Sequence, residues 1–207
     1  HPHLGSPQQV ARGLYGALIV EERDAPPVDR DVVWVLSDWR LDREARLVEN
    51  FGNPMDASHA GRIGNTVTLN GAIRDSFSVR AGERIRLRLV NASNARIYGL
   101  EFEGHEPQLI ALDGHPLEPR ASARVVLGPG MRADLMLDCK GNPGSAHRVI
   151  DTFYRQRAYE LLKIQYGAQP ALRNSFAPVA RLAANPISVP ELAKAERHRI
   201  VFGGGMM

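Results

Sequence analysis

Cysteine occurs once in the 207 residues, at Cys139. One thiol rules out an internal disulfide and leaves the redox compartment open. Long apolar runs are missing too. None approaches the ~20 residues of a membrane span, and no basic, apolar and small-residue leader opens the chain. Because the sequence does not begin with Met, the missing leader carries no weight. Charge of one sign collects nowhere: 26 Lys and Arg face 23 Asp and Glu, spread without a run of five or six like charges. A nucleic-acid footprint needs a basic stripe, so neither nucleic acid nor membrane is expected as a partner. Also absent are a G-x-S-x-G, a phosphate-cradling glycine loop before a helix, and a CxxC pair. Gly203-Gly-Gly205 is glycine-rich but opens no helix. The composition that remains, 43% hydrophobic and 24% charged, is that of a globular domain. A chain of this length buries roughly 70% of its unfolded surface.

The middle of the sequence reads as strand after strand. Ile85, Leu87 and Leu89 alternate with Arg84, Arg86 and Arg88, which puts the apolar groups on one face of a half-buried strand. Tyr98, Leu100 and Phe102 repeat the two-residue period, as do Ala133, Leu135 and Leu137 against Asp134, Met136 and Asp138. Further strands are expected over 32–36, 109–112, 124–127, 148–153 and 158–164. Asn91-Ala-Ser-Asn94, Asp113-Gly114, Gly128-Pro-Gly130 and Gly141-Asn-Pro-Gly144 supply turn chemistry between them. Short strands at such spacing predict an all-β fold, a sandwich or barrel. Helix is expected only as a turn or two over 43–49. The ends differ: 13–21 gives one strand-like run, 167–190 has linker composition rich in Ala, Pro and Asn, and 199–202 begins a last apolar stretch.

The chemistry-bearing residues are few. His1 and His3 form an HxH pair. In an extended strand residues i and i+2 point the same way, about 7 Å apart, so two imidazoles can each reach a different metal of a close pair. An HxH at the start of a chain is also what an affinity tag leaves behind, and both readings stand on the pair alone. Cys139 has no neighbouring His, so it reads as a strand or turn residue rather than a blue-copper thiolate. His105 and His115 sit at strand ends and are expected to make structural hydrogen bonds. His59 and His147 are expected in solvated loops or turns. Asp113, Asp134 and Asp138 are expected as exposed carboxylates, and Met206-Met207 reads either as a soft metal ligand or as plain packing.

Context favours the metal. His1-Pro-His3-Leu-Gly5 is followed by Gly13-Leu-Tyr-Gly-Ala-Leu-Ile-Val-Glu21, which resembles the end of the first domain of multicopper oxidases of the laccase and copper-resistance group. The likeness runs on, in the family's order, through 31–39, Leu69-Asn-Gly71 and 79–92. It continues with Phe102-Glu-Gly-His105, Ala111-Leu-Asp-Gly114, Pro116-Leu-Glu-Pro119 and 127–134, and ends at 199–207. The resemblance implies a cupredoxin-like Greek-key β-sandwich with strand remnants of two neighbouring cupredoxin domains. Residues 1–28 would end the first domain, 29–168 form the second, 169–195 link it onward, and 196–207 open the third.

It also implies a function for the whole protein: one-electron oxidation of a phenol, an amine or Cu(I), coupled to reduction of oxygen to water at a blue copper and a trinuclear copper cluster. His1 and His3 would then be ligands of the paired type 3 coppers. The family's first HxHG would lie before His1, and its HxxHxH and HCHxxxH motifs after Met207, so this stretch alone is expected to be an inactive spacer. A periplasmic or secreted location is implied by the same resemblance. So is dependence on the first and third domains as partners, with a swapped dimer as one way to cover their absence. Two rival readings stay open: a copper-free scaffold or cell-division protein of the same architecture, and an independent binding module whose His1 comes from a tag.

Overall fold

The alternation in the middle of the chain becomes two packed sheets. A computed structural model describes residues 1–188, 190–201 and 203. Its strands are β1 (Arg30–Trp39), β2 (Thr66–Leu69), β3 (Ser76–Val79), β4 (Arg84–Asn91), β5 (Tyr98–Phe102), β6 (Gln108–Leu112), β7 (His115–Ala121), β8 (Val125–Leu127), β9 (Arg132–Asp138), β10 (Ala146–Asp151) and β11 (Tyr159–Tyr166). Helix is confined to α1 (Ser6–Ala11), α2 (Pro54–Ser58) and two single 3-10 turns. One sheet has six strands in the order β2-β1-β4-β9-β6-β7, the other five in the order β3-β11-β10-β5-β8. Most neighbours are antiparallel, but β1 runs parallel to β4 and β3 parallel to β11. The chain therefore crosses from sheet to sheet, as in a Greek-key sandwich.

The side-chain period decides what lies between the sheets. Ile85, Leu87 and Leu89 of β4 are fully buried, and Leu87 stands opposite Leu135 of β9. Tyr98, Leu100 and Phe102 of β5 and Leu162 and Ile164 of β11 meet them from the other sheet. Trp34 of β1 crosses the gap. Its ring packs edge-on against Phe77 at 5.2 Å and stacks on Phe102 at 6.4 Å. Asn91 ends β4 as the turn chemistry requires: its Oδ1 accepts from Ser93 N at 2.9 Å, and its Nδ2 donates to Arg96 O and Leu127 O. That side chain satisfies a buried corner that the backbone alone leaves open.

Several local expectations fail. Residues 43–49 form no helix. Instead Leu41 and Leu47 make an isolated antiparallel bridge, with Asp42 Oδ1 accepting from Glu44 N and Arg46 N to close the turn. The run 13–21 forms no strand either, because none of the described strands offers it a ladder. Residues 16–21 of that run are all exposed, Leu18 and Val20 largely so. Residues before it curl into α1, which sequence reading leaves as a loop. Residues 199–201 carry no ladder, while Phe202 and Met206-Met207 fall outside the described residues. No helix among the described residues is long and apolar enough to cross a membrane.

Candidate metal centre

Gly5, at φ 64°, turns the chain so that Ser6 can start α1. Ser6 Oγ then donates to Pro2 O at 2.8 Å, and Gln9 Nε2 to Leu4 O at 2.7 Å, folding the first residues back over the helix. Asn94 Nδ2 donates to Pro7 O at 2.6 Å and ties the helix to the turn after β4. This backbone is bent, not the extended strand expected for an HxH pair. The two imidazoles nonetheless come together: the rings of His1 and His3 stack 4.9 Å apart, 18° from parallel, and both are exposed. They are two donors on one side of a chain segment. No third His, Cys, Asp or Glu joins them, since no such group of three or more converges among the described residues. Two imidazoles by themselves are fewer donors than a closed metal site needs.

Cys139 sits at a strand end, as its sequence context suggests. It is fully buried directly after β9, and burial, with the charge of Glu83 adding to it, pushes its thiol up to about 12. The thiolate needed for a metal ligand is thus unfavourable there. Around it lies a polar cluster that closes one end of the sandwich. His105 Nδ1 is 2.7 Å from Glu103 O. A carbonyl only accepts, so Nδ1 carries the hydrogen and the neutral ring's Nε2 accepts from Tyr166 OH at 2.7 Å. His147 is a correction: it lies in β10, packed edge-on at 5.1 Å from His105 and at 5.7 Å from Tyr166, and is not a solvated turn residue. Gly141 leaves room for the Tyr166 ring, which a Cβ would strike. His59, His115 and His198 are exposed.

Burial, opposed in part by the Glu103 hydrogen bond, holds the His105 pKa below the usual imidazole value. A base whose folded pKa is depressed stabilises the fold fully above its unfolded pKa, near 6.5, and loses that contribution as pH falls toward the folded value. His105→Gln keeps a donor and an acceptor but cannot titrate. Urea unfolding midpoints of the variant should therefore be flatter than those of the parent between pH 7 and 5. Parallel curves over that interval would assign the acid sensitivity elsewhere.

The outer face of β4 departs most from expectation. Alternation places Arg84, Arg86 and Arg88 there, but the face is covered. Opposite them in register stand Asp138, Met136 and Asp134 of β9. Arg84 Nε and Nη2 donate to Asp138 at 2.5 and 2.8 Å. Arg88 makes a two-pronged pair with Asp31. Arg86, 2% exposed, reaches diagonally to Asp134 at 2.6 Å and grips both oxygens of Glu22 at 2.7 and 2.8 Å. Burial works against that guanidinium's charge, yet its carboxylate partners more than offset it and raise its pKa. Asp134 and Asp138 are accordingly ion-pair partners, not exposed carboxylates. The signal was in the sequence: basic residues at alternate positions of one strand, and Asp134 and Asp138 on one face of another.

A sandwich of this topology defines a cupredoxin-like domain. The family model described as multicopper oxidase matches residues 30–156, more than half of the chain. This chain belongs to the multicopper oxidase family. Among curated relatives, Laccase-20 of Oryza sativa subsp. indica is 27% identical over 149 residues, 66% of this chain and 26% of the relative. Cell division protein FtsP of Photorhabdus laumondii is 33% identical over 144 residues, 66% of this chain and 30% of the relative. The crystal structure of a multicopper oxidase from Pseudomonas thermotolerans superposes with a TM-score of 0.82 at 32% identity, covering 92% of this chain and 44% of that one. This chain thus spans about a quarter to a third of those curated relatives' length.

Proposed function

We propose that these residues are the copper-free middle cupredoxin domain of a multicopper oxidase, about 29–168, with the end of a first domain before it, and a linker and the start of a third domain after it. In that reading the intact protein oxidises a phenol, an amine or Cu(I) by single electrons and reduces oxygen to water, in the periplasm or outside the cell. Copper, where bound, supplies the electron transfer and oxygen chemistry. This chain's own part is to present His1 and His3 as two ligands of a shared site and to space its neighbours. The observation that carries the reading is the family match over the sandwich, with the stacked His1–His3 pair ahead of it.

The experiment is copper content and oxygen uptake of the 207-residue chain beside the complete gene product. The complete product is expected to bind several coppers and consume oxygen. The isolated chain should show neither stoichiometric blue copper nor turnover, and His1→Ala with His3→Ala in the complete product should abolish oxygen reduction. Blue colour and oxygen uptake by the chain alone would defeat the reading.

A second reading has a specific observation behind it. Identity to cell division protein FtsP, at 33%, exceeds the 27% to Laccase-20 over a similar span. A scaffold protein of the same architecture without copper would give that pattern. An HCHxxxH sequence encoded beyond Met207 favours the oxidase, and its absence favours the scaffold.

A further inference from the structure

The segments on either side of the sandwich are not loose. The leading segment is gripped at Glu22 by Arg86. Seven residues later Asp29 lies against β4, its N–H donating to Arg84 O at 2.9 Å and its Oδ2 accepting from Arg84 N at 2.7 Å. The trailing segment packs on the turn that leads into β4 and on the strand's first residue, Arg84. Leu172 N donates to Ala81 O at 2.8 Å, and Arg80 Nε to Pro170 O at 2.8 Å. Arg84 Nη2 donates to Ala177 O at 2.7 Å. Phe176 has the guanidinium of Arg84 at 5.3 Å and that of Arg173 at 5.9 Å from its ring centre. The backbone of Arg173 passes so close to Gly82 that a Cβ there would collide with it.

The two segments also hold each other. Arg173 donates through Nη1 and Nη2 to the two oxygens of Asp29, at 2.5 and 2.7 Å, across 144 residues of sequence. Two-pronged arginine–carboxylate pairs fix direction as well as distance. A sheet face covered only for solubility would carry scattered charges facing water. Here two guanidiniums on one strand face, Arg84 and Arg86, each reach a passing segment, and Arg86 is almost wholly out of solvent.

We propose that the arginine row of β4 is a clamp that sets the direction in which the chain arrives at this domain and leaves it. Arg86 seats the leading segment, Arg84 and Gly82 seat the trailing one, and Asp29–Arg173 locks the two together. The inference rests on the reading of this domain as a spacer: what the clamp orients is the pair of flanking domains, and His1 and His3 lie on the arm it directs. Arg86 and Arg173 are then positioning residues.

The test places spin labels at Leu18→Cys and Asn174→Cys in the 207-residue chain and measures the distance between them by pulsed electron resonance. Both positions are exposed, while Cys139 is fully buried and stays unlabelled. One narrow distance distribution is expected in the doubly labelled parent. Glu22→Gln and Arg173→Ala should each widen it at least twofold, and Arg173→Lys, which keeps the charge but loses the fork, should widen it partway. Arg46→Ala, which disturbs only a remote exposed pair with Asp42 and Glu44, should leave it unchanged. A distribution already broad in the parent overturns the clamp, as does one indifferent to Glu22 and Arg173. Should Arg173→Ala perturb the fold, read from the urea unfolding midpoint, the Arg173→Lys result decides. The measurement needs no copper, so failure here leaves the spacer reading standing. Oxygen uptake by the isolated chain would sink that reading without altering these distances.

Discussion

Arg86→Met is expected to destabilise the chain by about 3–5 kcal/mol, the range for removing one partner of a buried ion pair. The reason is what remains behind. Asp134, 16% exposed, keeps only Arg88 at 3.9 Å, and Glu22 loses the hydrogen bonds that hold its carboxyl below the usual range. Arg88→Met removes a partner from the better-solvated Asp31 and should cost about 1 kcal/mol or less. Adding Asp134→Leu to Arg86→Met should recover most of the loss, because a buried pair replaced whole by apolar groups is often neutral. Urea unfolding of the four proteins checks this. Equal costs for Arg86 and Arg88 would mean that the buried row is no more than surface charge.

Trp34→Ala is expected to cost about 3–5 kcal/mol, the range for truncating a buried aromatic. Trp34 is 1% exposed and touches aromatic rings of the opposite sheet, so its loss opens a cavity between the layers that neither sheet can close without shifting against the other. The second tryptophan provides the contrast. Trp39 ends β1 half-buried, its Nε1 donating to Thr68 Oγ1 at 2.9 Å, and Trp39→Ala should cost about 1–2 kcal/mol. For a chain of this size the Trp34 loss corresponds to a thermal midpoint lower by roughly 6–20 °C. Calorimetry of the two variants would show whether the inter-sheet ring, and not tryptophan content, sets the midpoint.

Most of the sandwich is legible in the sequence because its strands alternate apolar with polar or charged residues. β4, β5 and β9 announce themselves by strict alternation, and the turn at Asn91 by its chemistry. The strands that reading along the chain misses have physical reasons to be missed. β7 contains Pro116 and Pro119, which a strand tolerates only at an edge, and β7 is the outermost strand of the six. β2 and β3 have four residues each, too few to display a period. The run 13–21 shows the opposite error. Its pattern suits a strand, but a strand exists only where another offers a ladder, and pattern cannot supply one.

The imidazole pair was legible as a motif, and its expected extended geometry was not, because Gly5 and Ser6 bend the backbone locally. His147 escaped because the turn signal at Gly141-Asn-Pro-Gly144 ends just before it, with β10 starting at Ala146. The clamp on β4 was half legible. Alternation fixed the arginines to one face, while the arrival of Glu22, Asp29 and Arg173 on that face depends on contacts far apart in sequence.

Parallel pairing of distant strands bears on how the chain is made. β3 has one neighbour in its sheet, β11, and Ser76 lies opposite Lys163. A ribosome adding ~5–20 residues each second needs about 4–17 s to deliver the 87 residues between those partners (163 − 76 = 87). Throughout that interval β3 has nothing to pair with, so chaperone occupancy on the nascent polypeptide should peak there and fall once Tyr166 clears the exit tunnel.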